Sequence, residues 1–281
     1  MRERIPIRHP LRQVYNRQTQ MQREMKRTIF GLLLVLCPIS LAAQPQDSVR
    51  MLWIGNSFTY FNDLPGMVRE IAASQGVKLS CTRFLKGGER FSGHLKNPEL
   101  IRALISGHWD YIVLQEQSTA PAMPTRQVIR EVYPAARTLD SLAHVGSPEA
   151  KVIFYMTWGH KFGNRKPVAG YPLANDYENM QERLKTSYLE MAYDNDAWCA
   201  PVGMAWQRVR RERPECELYR SDNYHPAVPG SYLAANVIFT TLFRKPYRTE
   251  FTADLPTSLA EYLQQIAQQA VLDNFVLLNI R

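Results

Sequence analysis

Metal-site spacing is missing from this 281-residue chain. It holds four cysteines and six histidines, but no Cys-x-x-Cys and no His-Glu-x-x-His. A structural or catalytic zinc site therefore has no support in the sequence, and we expect neither a metal nor another cofactor. Cys37 falls in an N-terminal leader. Cys81, Cys199 and Cys216 form an odd set, which is not a disulfide framework. A single Cys199–Cys216 bridge and buried free thiols both remain open. Internal repeats and low-complexity tracts are absent, as is any apolar run long enough for a comfortable membrane span.

The longest apolar stretch, residues 29–36, follows Met25-Lys26-Arg27 and precedes Leu41-Ala42-Ala43. A basic segment, a short apolar core and a small-residue site make a secretory signal peptide. The expectation is cleavage after Ala43. Residues 1–43 are then an N-terminal extension plus signal peptide, 44–281 a single domain, and the product periplasmic or extracellular. Cys37 is preceded by Leu34-Val35-Leu36 rather than a small residue, so a lipid anchor there is not expected. The leader holds eight Lys/Arg and two Asp/Glu, which leaves 26 against 24 in the remainder. The basic balance is thus largely a property of the leader. With no long basic run left, nucleic-acid binding is not expected, nor is stable membrane insertion of the mature chain.

What is present is alternation. Apolar runs at 49–54, 77–84, 111–114, 152–157 and 198–202 read as strands. Helical spacing marks 64–74, a helix opening at Asn97-Pro98, 127–143 with a kink at Pro134, 177–193, 229–243 and 258–274. Residues 158–175 read as a loop. Strands separated by helices imply βαβ units. Continuous rather than alternating apolar strands fit a sheet covered on both faces. The fold class is therefore α/β: a three-layer α/β/α sandwich with a central, mainly parallel five-stranded sheet.

Ligands bind outside the carboxyl ends of such strands. At the first strand's end stands Gly55-Asn56-Ser57, and near the C-terminus Asp222-Asn223-Tyr224-His225-Pro226. A serine hydroxyl needs a base, and the base needs an orienting carboxylate. Asp222 and His225 are spaced so that one turn carries both. An oxyanion hole needs further donors. Ser57 N–H, the Gly87-Gly88 turn after the second strand, and the amides of Gln115 and Gln117 after the third supply candidates on one sheet edge.

These blocks resemble those of the SGNH/GDSL hydrolases, from Met51 to about Leu242. The matching residues are Gly55-Asn56-Ser57-Phe58-Thr59, Gly88, and Asp222-Asn223-Tyr224-His225-Pro226. The resemblance implies Ser57 as nucleophile, His225 as general base and then acid, Asp222 as its orienter, and Ser57 and Gly88 as backbone donors. Two departures stand out. The first block reads Gly-Asn-Ser rather than Gly-Asp-Ser. The third has no Gly-x-Asn but Gln115-Glu116-Gln117-Ser118, which is similar to the branch acting on acetylated sugars and sialic acids. Gln115 is the favoured third donor, with Gln117 as the alternative.

Around this site, Asn56, Glu116, Trp158 and His160 are candidate substrate-binding residues, Trp158 as a platform for a sugar ring. His94 is expected to be structural, His108 and His144 capping or surface residues, and Trp53 and Trp198 core. Tyr224 reads as loop packing. The expected activity is hydrolysis of short-chain, foremost acetyl, esters of a carbohydrate or other small molecule. The alternatives are a catalytically weak carbohydrate-binding protein of the same fold, or a lipase or thioesterase on longer chains.

Overall fold

In the computed structural model, residues 48–166 and 170–281 are described. The expected signal peptide and its cleavage point lie outside them. Five strands form one sheet: β1 (Val49–Gly55), β2 (Leu79–Leu85), β3 (Tyr111–Leu114), β4 (Lys151–Tyr155) and β5 (Trp198–Ala200). Their order is β2-β1-β3-β4-β5 and every pairing is parallel. Ile54 of β1 stands opposite both Phe84 of β2 and Leu114 of β3. The chain leaves β1 for β2 on one side and returns to β3 on the other, which opens a crevice between the loops after β1 and β3. Met51 to Ile54 and Ile112 to Leu114 are buried, as strands covered on both faces must be.

The helices are α1 (Ser57–Tyr60), α2 (Leu64–Ser74), α3 (Phe91–His94), α4 (Pro98–Ser106), α5 (Thr125–Glu131), α6 (Tyr133–Gly146), α7 (Tyr177–Asp194), α8 (Val202–Glu212), α9 (Val228–Phe243) and α10 (Thr257–Leu272). α9 packs against α2, α10 and α8, while α4, α6 and α7 contact one another in sequence. The result is the expected three-layer α/β/α sandwich. α9 is buried almost all round, so its polar side chains must be paired internally. Thr240 and Thr241 hydroxyls donate to Asn236 O and Val237 O at 2.7 and 2.9 Å, and Tyr247 Oη donates to Asn236 Oδ1 at 2.5 Å. No described helix is long and apolar enough to cross a membrane.

Several boundaries differ from expectation for identifiable reasons. Val77 N–H is spent on Ala72 O at the end of α2 (2.9 Å), so β2 pairing begins at Leu79. The 127–143 helix is two helices: Pro134 has no N–H to give Arg130 O, and the chain breaks at Val132. β4 stops at Tyr155, short of 157, and Met156 O instead accepts Gly203 N–H at 3.0 Å. β5 stops at Ala200 because Pro201 follows, and Val202 opens α8, a helix the sequence reading did not anticipate. All three described cysteines are free, so no Cys199–Cys216 bridge forms.

Candidate active site

The nucleophile turn is fixed by what surrounds Gly55. A Cβ there would come within 2.8 Å of both Gln115 Oε1 and Thr59 Oγ1, so only glycine fits. Asn56 caps α1, its Oδ1 accepting from Phe58 N at 3.1 Å. Its Nδ2 donates to Glu89 O (3.1 Å) and Glu116 O (3.4 Å). Asn56, expected to touch substrate, straps the ends of β1 and β3 to the glycine turn and also lines the cavity beside Ser57. Ser57 follows at the first helical position, where its N–H has no intrahelical acceptor.

The histidine expected to act as base reaches this serine from a loop 168 residues away. His225 Nε2 lies 2.9 Å from Ser57 Oγ, and His225 Nδ1 lies 2.7 Å from Asp222 Oδ2. Asp222 Oδ1 also accepts the backbone N–H groups of Tyr224 (3.2 Å) and His225 (3.0 Å), which tightens the turn. Asn223 bends it with φ +67°. The carboxylate on Nδ1 holds the proton there and leaves the Nε2 lone pair for the serine hydroxyl. Partial burial opposes ionisation of Asp222, but the His225 ring and the two backbone donors outweigh it and hold the carboxyl below its usual range. The imidazole rests between Tyr224 and Phe61, at ring separations of 4.0 and 4.5 Å.

These groups open on a cavity of about 340 Å³, lined among others by Ser57, Gly87, Gly88, Gln117, Ser118 and His225. Gly88 has φ +67°, nothing within 4 Å of where a Cβ would stand, and an N–H with no backbone partner among the described residues. It can therefore present that N–H to an oxyanion beside Ser57. A larger groove of about 1490 Å³ between α10 and the segment around Tyr247 holds no serine–histidine pairing.

The expected third donor is corrected. Gln115 is fully buried; its Oε1 accepts from Asn56 N (2.9 Å) and Thr59 Oγ1 (2.8 Å), and its Nε2 donates to Glu116 O. Its amide is consumed in holding the nucleophile turn. Gln117, the alternative, lines the cavity. Its Oε1 is fixed by Thr119 N, Thr119 Oγ1 and Ala120 N, each at 2.9 Å, and its Nε2 lies 3.4 Å from Ser118 Oγ. Its Oε1 is thus occupied, and its Nε2 makes only the long contact with Ser118, itself a cavity residue.

Glu116 is not a second cleft carboxylate. It is buried and accepts from Phe91 N (3.2 Å) and Gln117 N (2.6 Å). Burial pushes its pKa up to about 7 despite those donors. Trp158 is not a sugar platform. It is fully buried and stacked between Phe58 and Trp206 at 4.6 and 3.8 Å, with Nε1 donating to Tyr224 O at 3.0 Å. It buttresses the base loop from below. His160 is buried behind the cleft rather than in its lining. Its Nε2 lies 3.2 Å from Ser118 Oγ, and its Nδ1 has no partner among the described residues. Burial, with Arg165 and His225 nearby, lowers its pKa to about 4. His94 is structural as expected, its Nε2 lying 2.9 Å from Gly55 O. Ser118 and Tyr224 line the cavity and were not singled out as site residues. Adjacency to Gln117 and His225 was the available signal.

No protein-family model and no curated protein matches the chain. Among solved structures, a candidate SGNH hydrolase from Slackia heliotrinireducens is 28% identical, with a TM-score of 0.55. That match covers 70% of this chain and 100% of the other. A DUF4886 family protein from Bacteroides uniformis is 19% identical with a TM-score of 0.65, over 80% of this chain and 95% of that one, a likeness of fold. The parallel sheet, the serine at the end of β1, the glycine turn after β2 and these likenesses place the chain in the SGNH hydrolase superfamily.

Proposed function

We propose that the protein is an exported serine esterase that removes short acyl groups, acetyl foremost, from carbohydrate or related small-molecule esters. The observation that carries this reading is the Ser57–His225–Asp222 line, at 2.9 and 2.7 Å, opening on a small cavity beside Gly88. Ser57 Oγ attacks the ester carbonyl while His225 Nε2 takes its proton. The carbonyl oxygen becomes an oxyanion that receives hydrogen bonds from Ser57 N–H, Gly88 N–H and Gln117 Nε2. Collapse breaks the bond to the alcohol oxygen, which leaves with the proton from His225. Water, deprotonated by the same imidazole, then hydrolyses the acyl-serine and restores the enzyme. The roughly 340 Å³ cavity supports a small acyl group over a long chain. Export rests on the basic, apolar and small-residue pattern of residues 25–43.

The test is hydrolysis of 4-nitrophenyl acetate and butyrate by the chain beginning at Gln44, with Ser57→Ala as control. We expect acetate to be preferred and the variant to retain less than about one part in 10³ of the activity. Undiminished turnover by Ser57→Ala would remove Ser57 from the mechanism.

A further inference from the structure

One hydroxyl on the cavity wall has no part in the chemistry described so far. Ser118 lines the cavity and is otherwise buried. Two nitrogens approach its Oγ: His160 Nε2 at 3.2 Å and Gln117 Nε2 at 3.4 Å. An amide nitrogen only donates, whereas an imidazole nitrogen donates or accepts according to its tautomer. Burial keeps the His160 ring neutral, so there is one proton to place. Its Nδ1 is buried with no partner among the described residues. A proton there would be an orphaned buried donor, which is rarer in folded proteins than an under-satisfied acceptor. The proton therefore sits on Nε2 and is given to Ser118. This pair is unlike Ser57 with His225: no carboxylate meets His160 Nδ1 to hold an Nε2 lone pair toward the hydroxyl. With both lone pairs of Oγ engaged, the Ser118 O–H is left to donate into the cavity that it lines.

Its neighbours limit what that hydroxyl can reach. The two N–H bonds of Gln117 Nε2 diverge by about 120°, so an oxyanion on one lies about 5–6 Å from Ser118 Oγ on the other. A hydroxyl donates over about 2.8 Å, so Ser118 misses the oxyanion and meets an oxygen about 3 Å or more away from it. The leaving oxygen shares a carbon with the oxyanion, which puts it too close, and it faces His225 Nε2. An acetyl group carries no further oxygen. The acceptor therefore belongs to the alcohol portion, and an oxygen on the carbon next to the esterified one is the first that fits. The rings behind the cavity agree. His160 lies 5.2 Å from Tyr224, and Tyr224 lies 4.0 Å from His225, so Ser118 stands toward the side on which the alcohol is protonated.

We propose that Ser118 is a specificity-determining residue of this cleft: its hydroxyl, oriented by His160, donates to an oxygen that the alcohol portion carries one carbon from the ester. The inference rests on the esterase reading of the same cleft and deepens it by naming the group that selects the alcohol. His160 is then a positioning residue, acting through Ser118. An alcohol without that oxygen leaves the Ser118 donor unpaired as substrate fills the cavity. A site built to hydrogen-bond a substrate group discriminates against the analogue that lacks it for this reason.

The test uses 2-hydroxyethyl acetate and propyl acetate, which differ by a hydroxyl in place of a methyl on that carbon, with acetate release as the readout. Wild type should favour the hydroxy ester by about ten-fold in kcat/KM. Ser118→Ala should bring the two esters within about two-fold of each other. His160→Leu should also lower the ratio, and His160→Gln, which can still donate to Ser118 Oγ, should keep it. A merely structural role for His160 would depress both esters alike. A wild-type ratio near one, or a ratio that survives Ser118→Ala or His160→Leu, overturns the proposal. A binding measurement separates it from the esterase reading. By NMR titration, Ser57→Ala should bind N-(2-hydroxyethyl)acetamide about five-fold more tightly than N-propylacetamide, and adding Ser118→Ala should abolish the difference. That preference without turnover of either ester would sink the esterase reading alone. Turnover of both esters at equal rates, with equal binding of the two amides, would sink the Ser118 proposal alone.

Discussion

The two halves of the candidate site are held in place by different means. The nucleophile side is knitted into the buried sheet edge. Gln115 accepts from Asn56 N and Thr59 Oγ1, Asn56 reaches Glu89 O and Glu116 O, and His94 closes on Gly55 O. Every one of these residues but Glu89 is buried. The base loop is an exposed-to-half-buried turn outside the core. It is held by Asp222 within it and by further bonds: Lys161 N to Asn223 O (2.9 Å), Asn223 N to Arg220 O (2.9 Å), Arg220 N to His225 O (2.9 Å), Trp158 Nε1 to Tyr224 O (3.0 Å) and Asn62 Nδ2 to Pro226 O (3.0 Å). The nucleophile side should therefore express its damage as stability, and the base side as activity.

The sharpest break of that symmetry is Asp222→Asn. An asparagine Oδ1 can keep the bonds from Tyr224 N and His225 N, so the loop should survive and thermal stability should stay within about 1 kcal/mol of wild type. Its Nδ2 would donate to His225 Nδ1, forcing the proton to Nε2 and removing the acceptor for Ser57. Activity on an aryl acetate should then fall about 10⁴-fold. A variant that unfolds, or that stays within ten-fold of wild type, contradicts the division. Gln115→Leu is the converse. It leaves the buried Asn56 N–H and Thr59 hydroxyl without their shared acceptor, at about 1–3 kcal/mol each, so urea unfolding should show a loss of about 4 kcal/mol. If Gln115→Leu instead keeps its stability and loses only kcat, the amide belongs to the oxyanion hole after all.

Legibility in the sequence follows the same divide. Ser57, Asp222 and His225 could be read because each sits in a short local pattern whose chemistry is carried by residue type. Separating Gln115 from Gln117 was beyond it. Two residues apart, they share a face if the strand continues, and only the departure from β geometry after Leu114 turns one inward and the other toward the cavity. Trp158 was misassigned for a related reason. An aromatic at a strand end is open to the cleft unless something covers it, and here Trp206 of α8 does. That helix was itself unanticipated, although Val202, Ala205, Trp206 and Val209 recur at helical spacing and are buried. The parallel sheet was legible because the inner stretches of β1, β3 and β4 are continuously apolar, although the edge strand β2 carries Ser80, Thr82 and Arg83. The two-helix break at Val132 was reduced to a kink because Pro134 marks the place without saying how far the chain turns.

The smallest effect is hidden in wild type by cancellation between two buried groups, one from each side of the cleft. Glu116 backs the nucleophile side, and its folded pKa stands at about 7 against an ordinary 4.5. The folded protein therefore binds its proton more tightly than the unfolded chain does. Its contribution is full below 4.5 and is lost as pH rises through 7. His160 backs the base loop, with a folded pKa of about 4 against 6.5. There the unfolded chain binds the proton more tightly, and stability present above 6.5 is lost as pH falls through 4. Each displacement spans about 2.5 pH units, which at about 1.4 kcal/mol per unit is about 3 kcal/mol. Between 4.5 and 6.5 the two slopes oppose, so unfolding free energy in wild type should change little from this pair. Glu116→Gln should expose the histidine slope, with stability rising by about 3 kcal/mol from pH 4 to 6.5. His160→Gln, whose amide can still donate to Ser118 Oγ, should expose the carboxyl slope, with stability falling by a similar amount from pH 4.5 to 7. Urea unfolding at half-unit intervals reads both. Slopes of the same sign in the two variants would show that burial does not act on this carboxyl and this imidazole in opposite directions, and the electrostatic part of the comparison between the two sides would fall.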